Sequence, residues 1–219
     1  MEKEATKAPM AKEKNKENSK KLFLEAVGKI LKTKGYAALG INEIAATAGL
    51  NKKLIYRYFG GIEQLLDEYV LAQDFWSNVK GDKVPKAIDD GGQAFLKQMF
   101  QTQFDRVYDN RELQKVLLWR LAEERSSLRK LTEEQEHAGE ELFEQIVQPH
   151  FGESTPTFRA IAAIMVSGLY YLDLYAAHNG SIFCGVDIAS ADGRQEIKKA
   201  MDFLVDQTYD HLKHKGDSE

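Results

Sequence analysis

INEIAATAGLNKKLIYRYF, residues Ile41 to Phe59, reads as two short helices joined by a tight turn. Apolar residues at Ile41, Ile44, Ala45 and Ala48 give the first segment the one-sided spacing of an amphipathic helix. Gly49 is placed to end that helix in a left-handed conformation, which costs glycine little. Leu50 is the apolar residue of the turn, and Asn51 is a good N-cap for the second helix. On a helix advancing about 100° per residue, Ile55, Tyr58 and Phe59 share one side. Lys53, Tyr56 and Arg57 share the other, with Lys52 at its edge. A small residue, Ala45, facing a glycine turn lets two helices cross closely, as in a helix-turn-helix. The polar, basic face left on the second helix points to double-stranded DNA.

The surrounding residues make the reading more specific. Gly35-Tyr36, Ile44-Ala45, Ala48-Gly49-Leu50 and Leu54-Ile55-Tyr56-Arg57-Tyr58-Phe59, followed by Glu63 and Leu65-Leu66, resemble the N-terminal domain of the TetR family of transcriptional regulators. The resemblance covers roughly residues 19–70. Three positions depart from it: Gly40-Ile41 and Leu54 stand where the family usually places Thr or Ser, and Ile62 replaces a common lysine. Each departure removes a phosphate contact. The resemblance implies a homodimeric repressor whose third helix enters the major groove of a palindromic operator. Carried over by position, Lys52, Lys53, Tyr56 and Asn42 are expected at base edges, and Arg57 and Tyr58 at the backbone. Asn51 completes the expected DNA-binding set as the cap of the reading helix.

Charge is divided along the chain. Residues 1–60 carry 13 Lys and Arg against 6 Asp and Glu, whereas residues 61–219 carry 17 against 28. A basic reader on an acidic body suits a nucleic-acid-binding protein. The single cysteine, Cys184, excludes an internal disulfide and suits the cytoplasm. No apolar run approaches the roughly 20 residues that span a membrane, so no membrane partner is expected.

The rest reads as an all-α chain without strands. Residues 1–18, rich in Lys and Glu, are expected to be a disordered tail. Residues 19–61 form the helix-turn-helix domain, with Ser19 capping a first helix to about Lys34 and Tyr36 plugging the three-helix core. Residues 62–215 form the effector-binding and dimerisation domain. Its helices are expected at Ile62–Val79, Asp89–Asp109, Glu112–Glu124, Ser127–Gln148, Pro156–His178 and Asp192 to about Lys213. Gly81 to Pro85 should break the chain after the first of these, and Pro149 should end the fourth. The Pro156–His178 helix is apolar nearly all round, which implies burial on more than one side, one of them against a second subunit.

A small-molecule effector pocket is expected from Phe104, Trp119, Arg120, Tyr171, Tyr175 and His178, an apolar wall with a few polar groups. Catalysis is not expected. Glu134 and His137 form one Glu-x-x-His, but a di-iron bundle needs two, and no second is present. His211 and His214 sit near a helix end, and no metal or other cofactor is expected there. No phosphate-binding or nucleophile-elbow glycine pattern occurs. The alternative is a helical ligand-binding or interaction protein with a degenerate DNA reader. A steep salt dependence of DNA binding separates the two.

Overall fold

The computed structural model of the chain describes residues 7–72 and 90–212. The first helix, α1, runs Lys7–Lys34 and so begins well before Ser19. Lys, Ala and Glu are strong helix formers, and Pro9 sits in the first turn, where a missing N–H costs nothing. The expected tail is therefore helical from Lys7, while residues 1–6 lie outside the described residues. Ser19 does not cap; its Oγ donates to the Asn15 carbonyl at 2.8 Å inside the helix. Gly35, at φ 80°, accepts the end of α1, with its N–H 3.1 Å from the Leu31 carbonyl.

A 3₁₀ turn over Tyr36–Ala38 leads to α2 (Ile41–Ala48), α3 (Lys53–Phe59) and α4 (Ile62–Leu71). The chain divides into two compact units, Met1–Asp74 with Lys115–Thr132, and Phe75–Gln114 with Glu133–Glu219. The first unit thus continues past Gly61, where a boundary was expected. It also takes in most of α6 (Arg111–Ala122) and the start of α7 (Ser126–Leu142). The reason lies in α4, which buries Leu65, Leu66, Tyr69 and Val70. A three-helix domain alone buries too little surface, and each such side chain adds about 1.5–3 kcal/mol.

Within this unit α1 contributes Phe23, Val27, Ile30 and Leu31 to the core, and the Phe23 ring meets Phe59 edge-on at 6.1 Å. Tyr36 does not plug the three-helix core. It is half-buried and stacks on Trp119, with ring centroids 6.4 Å apart and planes 8° from parallel. Arg125 then ties the loop before α7 to α4, donating to Asp67 Oδ1 at 2.8 Å and Glu63 Oε2 at 2.5 Å. Leu121 of α6 is 79% exposed. Of the expected Ile62–Val79 helix, the part beyond residue 72, with Phe75, Trp76 and the Gly81–Pro85 break, lies outside the described residues.

The second unit holds α5 (Gln93–Asp109), the remainder of α7, α8 (Gln148–Phe151), α9 (Thr155–His178) and α10 (Ala191–Leu212). α5 starts later than expected because Asp90 turns the chain ahead of it: its carboxylate accepts the N–H groups of Gly92 at 2.9 Å and Ala94 at 2.8 Å. Phe95 of α5 is half-buried, and Leu96 takes the core position. Pro149 does not end the fourth body helix. A π turn over Phe143–Val147 precedes it, and Pro149 opens α8, where the widened turn tolerates its missing N–H. Phe151 then stacks on Phe158 at 4.5 Å and meets Tyr209 at 4.8 Å, at the centre of the core.

Two short antiparallel strands that the sequence did not announce, Ile182–Phe183 and Val186–Asp187, form a hairpin. Cys184 and Gly185, at φ 50° and 81°, make the two-residue turn, a geometry suited to paired strands. Ser190 caps α10, its Oγ accepting the Gly193 N–H at 2.9 Å. α10 ends at Leu212, so His214 lies outside the described residues.

α9 is buried along one side only, through Phe158, Ala162, Leu169, Asp173 and Leu174. Ile164 and Tyr171 on its other side are 73% and 54% exposed. By length and apolarity this stretch also passes as long enough to cross a membrane, contrary to the sequence expectation. Serine, glycine and tyrosine interrupt its apolar run, yet the stretch stays apolar on average. Here α9 packs on α5, α8 and α10 and pairs Asp173 with Arg194 of α10 at 2.9 Å.

Candidate nucleic-acid interface

The turn between α2 and α3 is built by local chemistry. Gly49 adopts φ 66° and ψ 26°, and the Leu50 N–H reaches back to the Ala45 carbonyl at 3.0 Å. The pair closes α2 as a left-handed C-terminal glycine does. Asn51 then starts α3, its Oδ1 accepting the Lys53 N–H at 2.9 Å. Ile55 is fully buried and fixes which side of α3 faces the core.

The opposite side carries the basic face. Lys52, Lys53 and Arg57 are exposed, and Tyr56 is 58% exposed. Tyr58 and Phe59 are half-buried; the Arg57 guanidinium lies 5.9 Å from the Tyr58 ring. Asn42 is exposed on the first turn of α2, and the Lys52 ammonium donates to its Oδ1 at 3.0 Å. The structure therefore joins two of the expected base-reading residues directly. Gly40 supplies no side-chain cap to α2. The first N–H groups of α2 thus have no intrahelical acceptor, which suits an anion. At the rim, Lys34 pairs with Glu43 at 2.6 Å and Lys20 with Glu68 at 2.7 Å.

The residues expected to line an effector pocket are divided between the two units. Trp119 and Arg120 belong to the first unit, where Trp119 is 1% exposed and donates from Nε1 to Glu123 at 2.6 Å. Phe104 is fully buried in the second unit's core beneath the Arg194 guanidinium, 3.9 Å from its ring. Tyr171 and Tyr175 pack with Phe183 of the hairpin, at 5.6 and 5.1 Å. His178 is exposed at the end of α9, its Nδ1 3.0 Å from the Leu174 carbonyl. Aromatic residues in a helical stripe here serve packing.

The second unit does contain a cavity, of about 300 Å³, and none of those six residues lines it. Its walls come from α5 (Leu96, Met99, Phe100), the π turn (Phe143, Val147) and α9 (Phe158, Ala162, Val166). Gln103, Gln135 and Tyr170 supply uncharged polar groups, and Arg159 pairs with Glu140 at its edge. The sequence held one sign of this site. Gln103 falls on the same stripe as Leu96 and Phe100, and a glutamine on an apolar stripe needs a polar reason to be there.

Residues 23–69, the span that holds this turn, match the model of the bacterial regulatory proteins of the tetR family. Among solved structures, a Clostridium perfringens protein described as a fatty acid metabolism regulator is 18% identical, with 84% of this chain and 96% of that chain covered and a TM-score of 0.57. At that identity the likeness concerns the fold. A Mesorhizobium loti protein described as a TetR-family transcriptional regulator is 17% identical, with 91% of this chain and 98% of that chain covered and a TM-score of 0.46. No curated protein matches the chain. The matched span, the left-handed glycine turn and the basic outer face of α3 coincide, and residues 23–69 form the N-terminal DNA-binding domain of a tetR-family regulatory protein.

Proposed function

We propose that the protein is a homodimeric, ligand-responsive repressor that reads a palindromic operator through α3 in the major groove. The observation that carries this reading is the face formed by Lys52, Lys53 and Tyr56 with Asn42, exposed and set by a buried Ile55 and a capped turn. Lys52 and Lys53 suit the acceptors of guanine, and Tyr56 the methyl of thymine. Arg57 and Tyr58 hold the phosphate backbone, and the open N–H groups of α2 stand in for the phosphate-binding Thr or Ser side chains that the sequence lacks.

Dimerisation falls to α9 and α10. Ile164 and Tyr171 on α9, and Phe203 and Leu204 on α10, are large apolar side chains between 47% and 73% exposed. A second copy would bury them, and a two-fold dimer matches a two-fold operator. The effector occupies the 300 Å³ cavity of the second unit. A ligand that prefers the conformer with the wrong reader spacing weakens operator binding by its differential affinity for the two states. The protein works in the cytoplasm as a binder, without catalysis.

The test is selection of random duplex DNA on the purified protein, followed by titration of the enriched sequence at several salt concentrations. Enrichment of a palindrome with a steep salt slope supports a dimeric reader. Binding indifferent to sequence, or no enrichment, overturns it.

A further inference from the structure

The cavity of the second unit has a chemistry that restricts its occupant, and the assignment of that occupant rests on the effector reading proposed for this cavity. Its volume of about 300 Å³ lies at the small end for a ligand site, which spans roughly 300–1,000 Å³. At about 30 Å³, the liquid volume of one water molecule, it has room for on the order of ten waters, which sets the scale of a ligand at about ten heavy atoms. The walls are apolar and partly aromatic, with Phe100, Phe143 and Phe158 among them.

The polar groups fall into two sets of different character. One is uncharged: Gln103, 6% exposed, donates from Nε2 to Tyr170 Oη at 3.0 Å, and Gln135 Nε2 lies 3.5 Å from the same oxygen. Two amides and a phenol can exchange hydrogen bonds with a hydroxyl or carbonyl group, and a neutral group loses little on leaving water for them. The other set is charged and lies at the exposed edge. Arg159 binds both oxygens of Glu140, one at 2.7 Å, and Glu136, also exposed, is a second carboxylate of the lining.

A ligand carboxylate finds no unengaged cation. Arg159 is the only cation among the lining residues, and Glu140 already occupies its planar fork. Displacing Glu140 would leave its carboxylate unpaired in a lining that already holds Glu136. A ligand ammonium finds no carboxylate at the uncharged end, where burial would cost it most. We infer that the effector is a small, uncharged, mainly apolar molecule of about ten heavy atoms bearing one hydroxyl or carbonyl oxygen.

Four probes on one eight-carbon chain test this: octan-1-ol, methyl octanoate, octanoate and octylamine. Each is titrated into the full-length protein at neutral pH by calorimetry, then into its complex with the selected operator. The alcohol and the ester should bind at least tenfold more tightly than either charged probe. Tyr170→Phe should weaken the alcohol at least fivefold, and Val166→Trp, which fills the cavity, should abolish binding. Circular dichroism checks that both variants fold, and Tyr170→Phe keeps the test valid if Val166→Trp does not.

Octanoate or octylamine binding as tightly as the alcohol overturns the neutral class, and operator release by that probe would leave the effector reading standing. Alcohol binding that survives Val166→Trp in a folded protein places the ligand elsewhere and overturns the assignment. Neutral probes that bind in the cavity yet leave operator affinity unchanged uphold the ligand class and sink the effector reading. No binding by any of the four overturns both.

Discussion

Lys52 Nζ and Asn42 Oδ1 are joined by a 3.0 Å hydrogen bond that links the start of α3 to the first turn of α2. The two residues stand ten positions apart, and both are exposed. The bond gives the lysine a fixed direction before any base is met, and less side-chain freedom is lost on binding. Alanine at either position should therefore weaken operator binding, and the double variant should cost less than the two single costs together. A coupling of about 0.5–3 kcal/mol in a double-mutant cycle is expected. Strictly additive costs would show that the pair separates on DNA.

Lys53 has a different role, since its own N–H is used by Asn51 at 2.9 Å while its side chain stays exposed. Lys53→Ala should cost about 1–3 kcal/mol at the cognate operator and relax the preference at one base pair. A uniform loss across all sequences, with a shallower salt slope, would instead make Lys53 a phosphate contact.

The reader was legible because each of its signals is local. A glycine at φ 66°, an asparagine cap and a 3.6-residue period all act within a few residues of one another. Apart from Gln103 on an apolar stripe, the cavity was not legible, because it depends on which helices meet. Phe104 and Trp119 read equally well as pocket walls and as core, and the core took both. The start of α1 was missed because a charged helix without an apolar stripe looks like a tail. Pro149 misled because the π turn before it leaves no mark in the sequence.

Gly193 is another position whose requirement is tertiary. It lies within the first turn of α10, where an added Cβ would sit 1.9 Å from the Asp187 carbonyl oxygen of the hairpin. The contact is with backbone, so it cannot be relieved by a rotamer change. Gly193→Ala should destabilise the second unit by about 1–3 kcal/mol or more, despite the better helix propensity of alanine. Urea denaturation of the variant decides this, and an unchanged midpoint would mean that the hairpin shifts freely.

The exposed stripes on α9 and α10 should behave as an interface. Ile164 is 73% exposed and Phe203 60% exposed, so neither supports the fold of its own chain. Ile164→Asp with Phe203→Asp should leave the helical signal intact and shift the protein from dimer to monomer in sedimentation. Operator affinity should fall with it, because two half-sites would no longer be held together. A variant that still sediments as a dimer would place the contact on another surface.

Asp173 should make the stability of the second unit depend on pH. Its side chain is fully buried, Oδ1 accepts from Arg194 at 2.9 Å, and Oδ2 has no hydrogen-bond partner. Burial pushes its carboxyl up to about 7, Asp105 and Asp109 of α5 push the same way, and the Arg194 hydrogen bond and charge oppose them. The surrounding network is charged throughout: Arg194 also meets Asp105 at 3.1 Å, and Lys198 meets Asp105 at 2.5 Å. A raised carboxyl means that the folded chain holds a proton that the unfolded chain has lost. That contribution is complete below the ordinary carboxylate pKa of about 3.9 and falls away as pH rises through 7. Between those limits one proton is worth about 1.4 kcal/mol per pH unit. Asp105 and Asp90, held below their ordinary values, act in the opposite sense at lower pH, so the wild type alone does not isolate the effect. The comparison with Asp173→Asn does, because asparagine can still accept from Arg194 but cannot titrate. Relative to that variant the wild type should lose stability steadily from pH 4.5 to 7.5, and parallel curves would show that Asp173 stays ionised as the partner of Arg194 throughout.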